Sequence, residues 1–172
     1  MPGADFFARL GLFVRPNFLD AKTCARLRAA VTEARKVPAT VATEDALYEA
    51  DVRTRRTDIA DVSDETMALV AGPVDAIVPE IAHHYSVEAE GRQRLQFLVY
   101  REGDFFGAHI DRTDSREGAK FSLRRLVSVV IFLNDEAEEP APMKYGGGAL
   151  TFYGLLGGKG GSGNQAMGAL GG

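Results

Sequence analysis

The feature that most limits what this chain can fold into is the run LVSVVIFL at 126–133, apolar at every position except Ser128. It is rich in β-branched residues, too short for an ordinary helix and far short of a membrane span. Such a run reads as a strand buried on both faces. Further β-rich stretches lie at 94–100, 105–106 and 149–153. Before Gly91 the pattern is mostly helical. Asp20 is an N-cap for a helix over 21–36, with Cys24, Leu27, Val31 and Ala34 as its apolar stripe and Val37-Pro38 as its stop. Ser63 caps a second helix, and Pro73 opens a third that turns Ile77, Ile81 and Ala82 to the core. Residues 10–14 read as a short strand and 52–57 as a strand edge. Helices followed by strands predict an α+β fold, with helices packed on an antiparallel sheet.

Composition narrows the function. A chain of 172 residues, 45% of them hydrophobic, is long enough to bury a core and too apolar to be disordered throughout. Lys and Arg number 20 against 24 Asp and Glu, and there is no basic run. The tightest clusters are Arg53, Arg55, Arg56 and Arg124, Arg125. That excludes the basic face with which a protein displaces counterions from nucleic acid. The one cysteine, Cys24, excludes an intrachain disulfide and any cysteine-based zinc site. The first residues carry Asp5 and Arg9 within their apolar part and read as neither a secretory signal nor a membrane anchor. The expected location is cytoplasmic. Of 19 glycines, 12 fall within 146–172, so 157–172 is expected to be a flexible tail. Its Gly158-Lys159 is no phosphate loop, because Gly160 stands where a Ser or Thr should follow the lysine.

The chemistry concentrates in YREGDFFGAHID, residues 100–111. On a strand, the two-residue spacing of His109 and Asp111 puts an imidazole nitrogen and a carboxylate oxygen on one face, a pairing suited to Fe(II), Mn(II) or Zn(II). A surface His beside an Asp would give the same sequence. Gly103 before two aromatics marks a tight turn feeding a strand.

Taken together, Tyr-x-x-Gly-Asp-Phe-Phe-x-x-His-x-Asp, then RLVSVVIFLN, then Gly-Gly-x-Leu-x-Phe-Tyr resemble the 2-oxoglutarate/Fe(II)-dependent dioxygenases of the prolyl 4-hydroxylase type. The resemblance is strong over 94–154 and weak over the helical part. It implies a double-stranded β-helix (jelly-roll) core, here incomplete, over 91–156, supported by helices within 1–90. It implies His109 and Asp111 as iron ligands in a 2-His-1-carboxylate triad and Tyr100 as a contact to 2-oxoglutarate. It implies Fe(II), 2-oxoglutarate and O2 as cofactor and cosubstrates, with ascorbate as a candidate reductant. The reaction it implies converts 2-oxoglutarate to succinate and CO2 while hydroxylating a prolyl residue or a small molecule. Phe132, where some relatives place an aromatic that contacts the cosubstrate, reads as wall packing, and Arg125 as a surface ion pair. Residues 112–120 read as a lid beside the metal or as an ordinary solvated loop.

The chain departs from this pattern in its last part. No histidine follows His109, and the last cation, Lys159, sits among glycines. The family's distal histidine and the Arg or Lys that holds the far carboxylate of 2-oxoglutarate are both missing. His83 and His84, near a helix end, are poor substitutes. The expectation is a dioxygenase cut short or out of frame near residue 155, prone to self-association through open sheet edges. The competing readings are a non-catalytic jelly-roll binding module and a cupin-type metal protein. The cupin ranks last, because cupins favour His-x-His.

Overall fold

The computed structural model describes residues 4–40, 53–89, 91–109, 111, 125–137, 144–153 and 166–167. A short helix, α1 (Ala4–Arg9), ends in a turn in which Gly11 takes φ 74°. The strand expected over 10–14 does not form. Its backbone is held instead by one side chain: Tyr85 Oη accepts from Phe13 N at 3.0 Å and donates to Gly11 O at 3.1 Å.

Helix α2 (Ala21–Glu33) starts as expected, with the Asp20 carboxylate accepting from Thr23 N at 2.7 Å. Leu27 on its stripe is fully buried, and Val31 and Ala34 pack beside it. The helix stops before Lys36. Pro38 disfavours a helical Val37, and Arg35–Pro38 becomes strand β1, antiparallel to β3 (Asp58–Asp61) with Arg35 opposite Asp61. β1 is an edge strand, the position where a proline does least harm to a ladder. Strand β2 (Arg55–Arg56) lies within the strand edge expected over 52–57.

Helix α3 (Asp64–Tyr85) is capped by Ser63, whose Oγ accepts from Thr66 N at 3.2 Å. Two helices were expected here, with Pro73 opening the second. One continuous helix forms, carrying Pro73 and Pro79 inside it. Each proline deletes one intrahelical bond, but the buried Val70 and Val74 flank Pro73 and fix both halves to the core. No described helix, α3 included, is long and apolar enough to cross a membrane.

The core consists of Leu27 from α2, Ala60 and Val62 in and after β3, Val70 and Val74 from α3, and Phe97 from β4 (Phe97–Val99). The sheet order is β1-β3-β4, all antiparallel, so the helices pack on an antiparallel sheet as expected. Thr57, the one buried polar residue among those described, donates its hydroxyl to Val99 O at 2.8 Å.

The remaining strands are two-residue pairs. β5 (Phe105–Phe106) joins β2. β6 (Asp135–Glu136) runs parallel to β7 (Lys144–Tyr145). β8 (Phe152–Tyr153) is antiparallel to β9 (Ala166–Met167). β9 comes from the glycine-rich stretch expected to lack regular structure; the rest of 157–172 lies outside the described residues. The fold is therefore α+β, and no jelly roll is closed among the described residues.

The run 126–133 departs most from expectation. It forms no regular strand, and Leu126, Val129 and Val130 are 53%, 52% and 58% exposed. Ile131 and Leu133 do pack on the core, and Arg28 Nη1 donates to Leu133 O at 2.5 Å. No strand pairs with this run among the described residues.

Candidate metal centre

The site is assembled by the pairing of β2 with β5. Arg55 stands opposite Phe106 and Arg56 opposite Phe105, and Gly107 N continues the pairing to Thr54 O at 2.8 Å. The turn that delivers β5 is the tight one expected at Gly103, which takes φ 78°. Asp104 closes it by accepting from Arg101 N at 2.8 Å. Arg56 holds the turn from outside, donating to Asp104 Oδ1 at 3.1 Å and to the Gly103 carbonyl. Arg101 is tied to Asp58 of β3 at 2.6 Å, an ion pair that holds its guanidinium above its ordinary pKa.

His109 follows directly. Its ring stacks on Phe106, with centroids 3.6 Å apart and planes 16° apart. Nδ1 lies 2.8 Å from Gly107 O, and Nε2 lies 3.3 Å from Asp111 Oδ1. The backbone around His109 is not a regular strand, so the convergence does not come from strand alternation. It comes from an imidazole fixed on both sides, by the ring beneath it and the carbonyl behind it. With Nδ1–H donated to Gly107, the Nε2 lone pair and a carboxylate oxygen converge, which is how metal-binding histidines are oriented.

Tyr100, nearly half exposed, joins the same cluster through Arg55. The Arg55 guanidinium lies 4.5 Å over the Phe106 ring. Burial lowers its pKa, against the opposing effects of the nearby Tyr100 hydroxyl and of the Asp111 charge. His109 and Asp111 are thus brought together, and Arg55, which the sequence reading left as part of a charged cluster, lies within electrostatic reach of both Asp111 and Tyr100. The available signal was positional: within the strand edge at 52–57, one arginine of the Arg55-Arg56 pair had to face the aromatic strand.

Residues 95–165 match the family model of the 2OG-Fe(II) oxygenase superfamily. The matched segment begins just before β4 and contains Tyr100, His109 and Asp111. It supports the general dioxygenase family, and with it Fe(II), 2-oxoglutarate and O2. No curated protein and no solved structure matches the chain.

The donors present fit an oxygenase iron in kind. One imidazole nitrogen and one carboxylate oxygen, convergent and partly exposed, are donors of the two kinds that a facial triad uses. Among the described residues there is no group of three or more His, Cys, Asp or Glu that could hold a metal. His83 and His84 lie exposed in the last turn of α3, and the ring neighbours of His84 are Phe13 and Tyr85.

Two expectations about neighbouring residues can be placed. Arg125, read as a surface ion pair, donates among the described residues to two neutral acceptors, Gln93 Oε1 at 3.0 Å and the backbone oxygen of Asp111 at 3.4 Å. It therefore touches the segment carrying Asp111. Phe132 is half-buried and lies near-parallel to Tyr145 at 6.4 Å, consistent with packing in a wall. The lid expected over 112–120 lies outside the described residues.

Proposed function

We propose that this chain carries the metal centre of an Fe(II)- and 2-oxoglutarate-dependent dioxygenase of the prolyl 4-hydroxylase type, acting on a peptidyl proline or a small molecule. The observation that carries the reading is the convergence of His109 Nε2 and Asp111 Oδ1 at 3.3 Å, on an imidazole already oriented by Gly107 and Phe106. His109 and Asp111 would hold the iron, and Tyr100 would meet the cosubstrate. When bound, the iron couples oxidative decarboxylation of 2-oxoglutarate to hydroxylation: 2-oxoglutarate, O2 and R–H give succinate, CO2 and R–OH. The protein's part is to fix the donors and to shape the approach. The lone Cys24 suits a reducing setting.

The test is succinate formation by the purified chain with Fe(II), 2-oxoglutarate and ascorbate. Turnover that requires iron and is lost in His109→Ala is the expected result. Turnover that survives that substitution overturns the assignment. A second reading, a non-catalytic binding module, is favoured by the two-donor count among the described residues. It expects no metal uptake and no succinate.

A further inference from the structure

We propose that residues 125–135 pair with the same segment of a second copy of this chain, as two antiparallel strands related by a two-fold axis at Val130. The proposal does not depend on the metal-centre reading above.

Three observations carry it. The first is unpaired backbone. Among the described residues, no N–H or C=O from Leu126 to Phe132 is hydrogen-bonded, and no strand lies beside them. Beyond them, Leu133 O accepts from Arg28 Nη1, and β6 pairs with β7. Bare backbone in an apolar, β-branched run is a template for a further strand.

The second is exposed apolar surface. Leu126, Val129 and Val130 are each more than half exposed, whereas Ile131 and Leu133 pack on the core. The run is thus anchored at its end and bare at its start. In an antiparallel pair the bare start of each copy lies along the anchored end of the other.

The third is charge, and it decides the occupant. Exposed Arg125 precedes the run and exposed Asp135 follows it. Among the described residues neither is in an ion pair. Arg125 donates to Gln93 Oε1 and Asp111 O, and Asp135 makes no ion pair with Lys144, its opposite in the β6–β7 register. Antiparallel self-pairing sets Arg125 against the partner's Asp135 at both ends, which gives two opposite-charge pairs. An unrelated strand would have to carry acid and base in reverse order; a second copy does so by symmetry.

Symmetry also fixes the register. Arg125 and Asp135 are ten residues apart, so on a strand they share a face. Setting them opposite each other puts Val130, midway between them, opposite itself. Val129 then meets Ile131, Val127 meets Leu133 and Leu126 meets Asn134. Both copies use the same edge, so the assembly closes at two.

The experiment combines sedimentation of the whole chain with disulfide trapping. The wild-type chain is expected to dimerise reversibly at about 10–100 µM. For trapping, Cys24→Ser first removes the native thiol. In that background Val130→Cys brings two thiols face to face, with Cβ atoms about 5 Å apart, and should cross-link under mild oxidation. Ser128→Cys leaves its two thiols about 14 Å apart along the strands and should not. Arg125→Asp should weaken dimerisation about tenfold, since like charges replace opposite ones at both ends. Adding Asp135→Arg should restore it, which a merely structural role of Arg125 would not do.

A chain that stays monomeric at about 100 µM overturns the proposal. So does a dimer in which Ser128→Cys cross-links as readily as Val130→Cys, or one that the double charge swap fails to restore, because either places the interface elsewhere. Growth beyond the dimer overturns the closed pairing. Should Val130→Cys fail to fold by circular dichroism, the charge swap decides alone; should the charge variants fail to fold, the trapping decides.

Discussion

His109 Nε2 and Asp111 Oδ1 stand 3.3 Å apart although the residues between Gly107 and Asp111 form no regular strand. The pair is therefore held by local contacts, and each donor should matter separately. His109→Ala and Asp111→Asn are each expected to weaken Mn(II) binding by more than about tenfold, while the thermal melt moves little because both side chains are partly exposed. Electron paramagnetic resonance of free Mn(II) measures the first and circular dichroism the second. Mn(II) affinity unchanged in both variants removes the site.

Phe106 supports two functional groups through one ring, His109 at 3.6 Å and Arg55 at 4.5 Å. Phe106→Leu keeps an apolar side chain on β5 and removes the aromatic faces. Loss of the stacked imidazole and of the cation–π contact is expected to cost about 1 kcal/mol of stability, read by urea unfolding. It should also weaken Mn(II) binding, because the imidazole loses its support. Loss of stability with Mn(II) affinity intact would show that the ring only packs.

The parts of the fold that were legible in the sequence are those set by local chemistry. Asp20 and Ser63 start helices because a short polar side chain can take an orphan N–H, and both do. Gly103 turns because a positive φ favours glycine. The elements misread were those decided at a distance. Pro73 reads as a helix start, but its helix is held continuous by Val70 and Val74 against the core. Residues 35–38 read as the end of a helix, but Asp58–Asp61 offers them a ladder. Run 126–133 reads as a strand buried on both faces, and burial needs partners that composition cannot supply. At the site, the closeness of His109 and Asp111 was legible because one motif carries them. The place of Arg55 over Phe106 was not, because it arises from the β2–β5 register, a pairing across some fifty residues of chain.

Gly103 offers a test of the turn that delivers β5. At φ 78° a side chain is strained, and an added Cβ would approach Arg56 Nη2 at 2.8 Å. The arginine tip is flexible and can withdraw, so the backbone conformation sets most of the cost. Gly103→Ala is expected to destabilise the chain by about 1–2 kcal/mol in urea, and Gly103→Asn by less, since asparagine tolerates the left-handed region. Because Arg56 must give up part of its grip on the turn, Mn(II) affinity should fall in Gly103→Ala as well. Equal stability of the Ala and Asn variants would mean that contact, and not backbone strain, governs this position.

Asp20 gives the pH dependence. Its carboxylate accepts from Thr23 N at 2.7 Å and from Thr23 Oγ1 at 3.0 Å, and these bonds, the backbone one first, lower its pKa below the ordinary aspartate value. A carboxyl group with a lower pKa folded than unfolded binds fewer protons in the native state. Its stabilising effect is therefore complete above the unfolded value and is lost as the pH falls through the folded one. Asp20→Asn keeps a capping oxygen and removes the titration. The melting temperature of wild type should thus fall more than that of Asp20→Asn between pH 7 and pH 3. Asp20→Ala should melt lower than both at pH 7 and narrow its gap to wild type on acidification. Parallel melting curves for wild type and Asp20→Asn across that range would show that the cap acts through its geometry alone and that its charge contributes nothing.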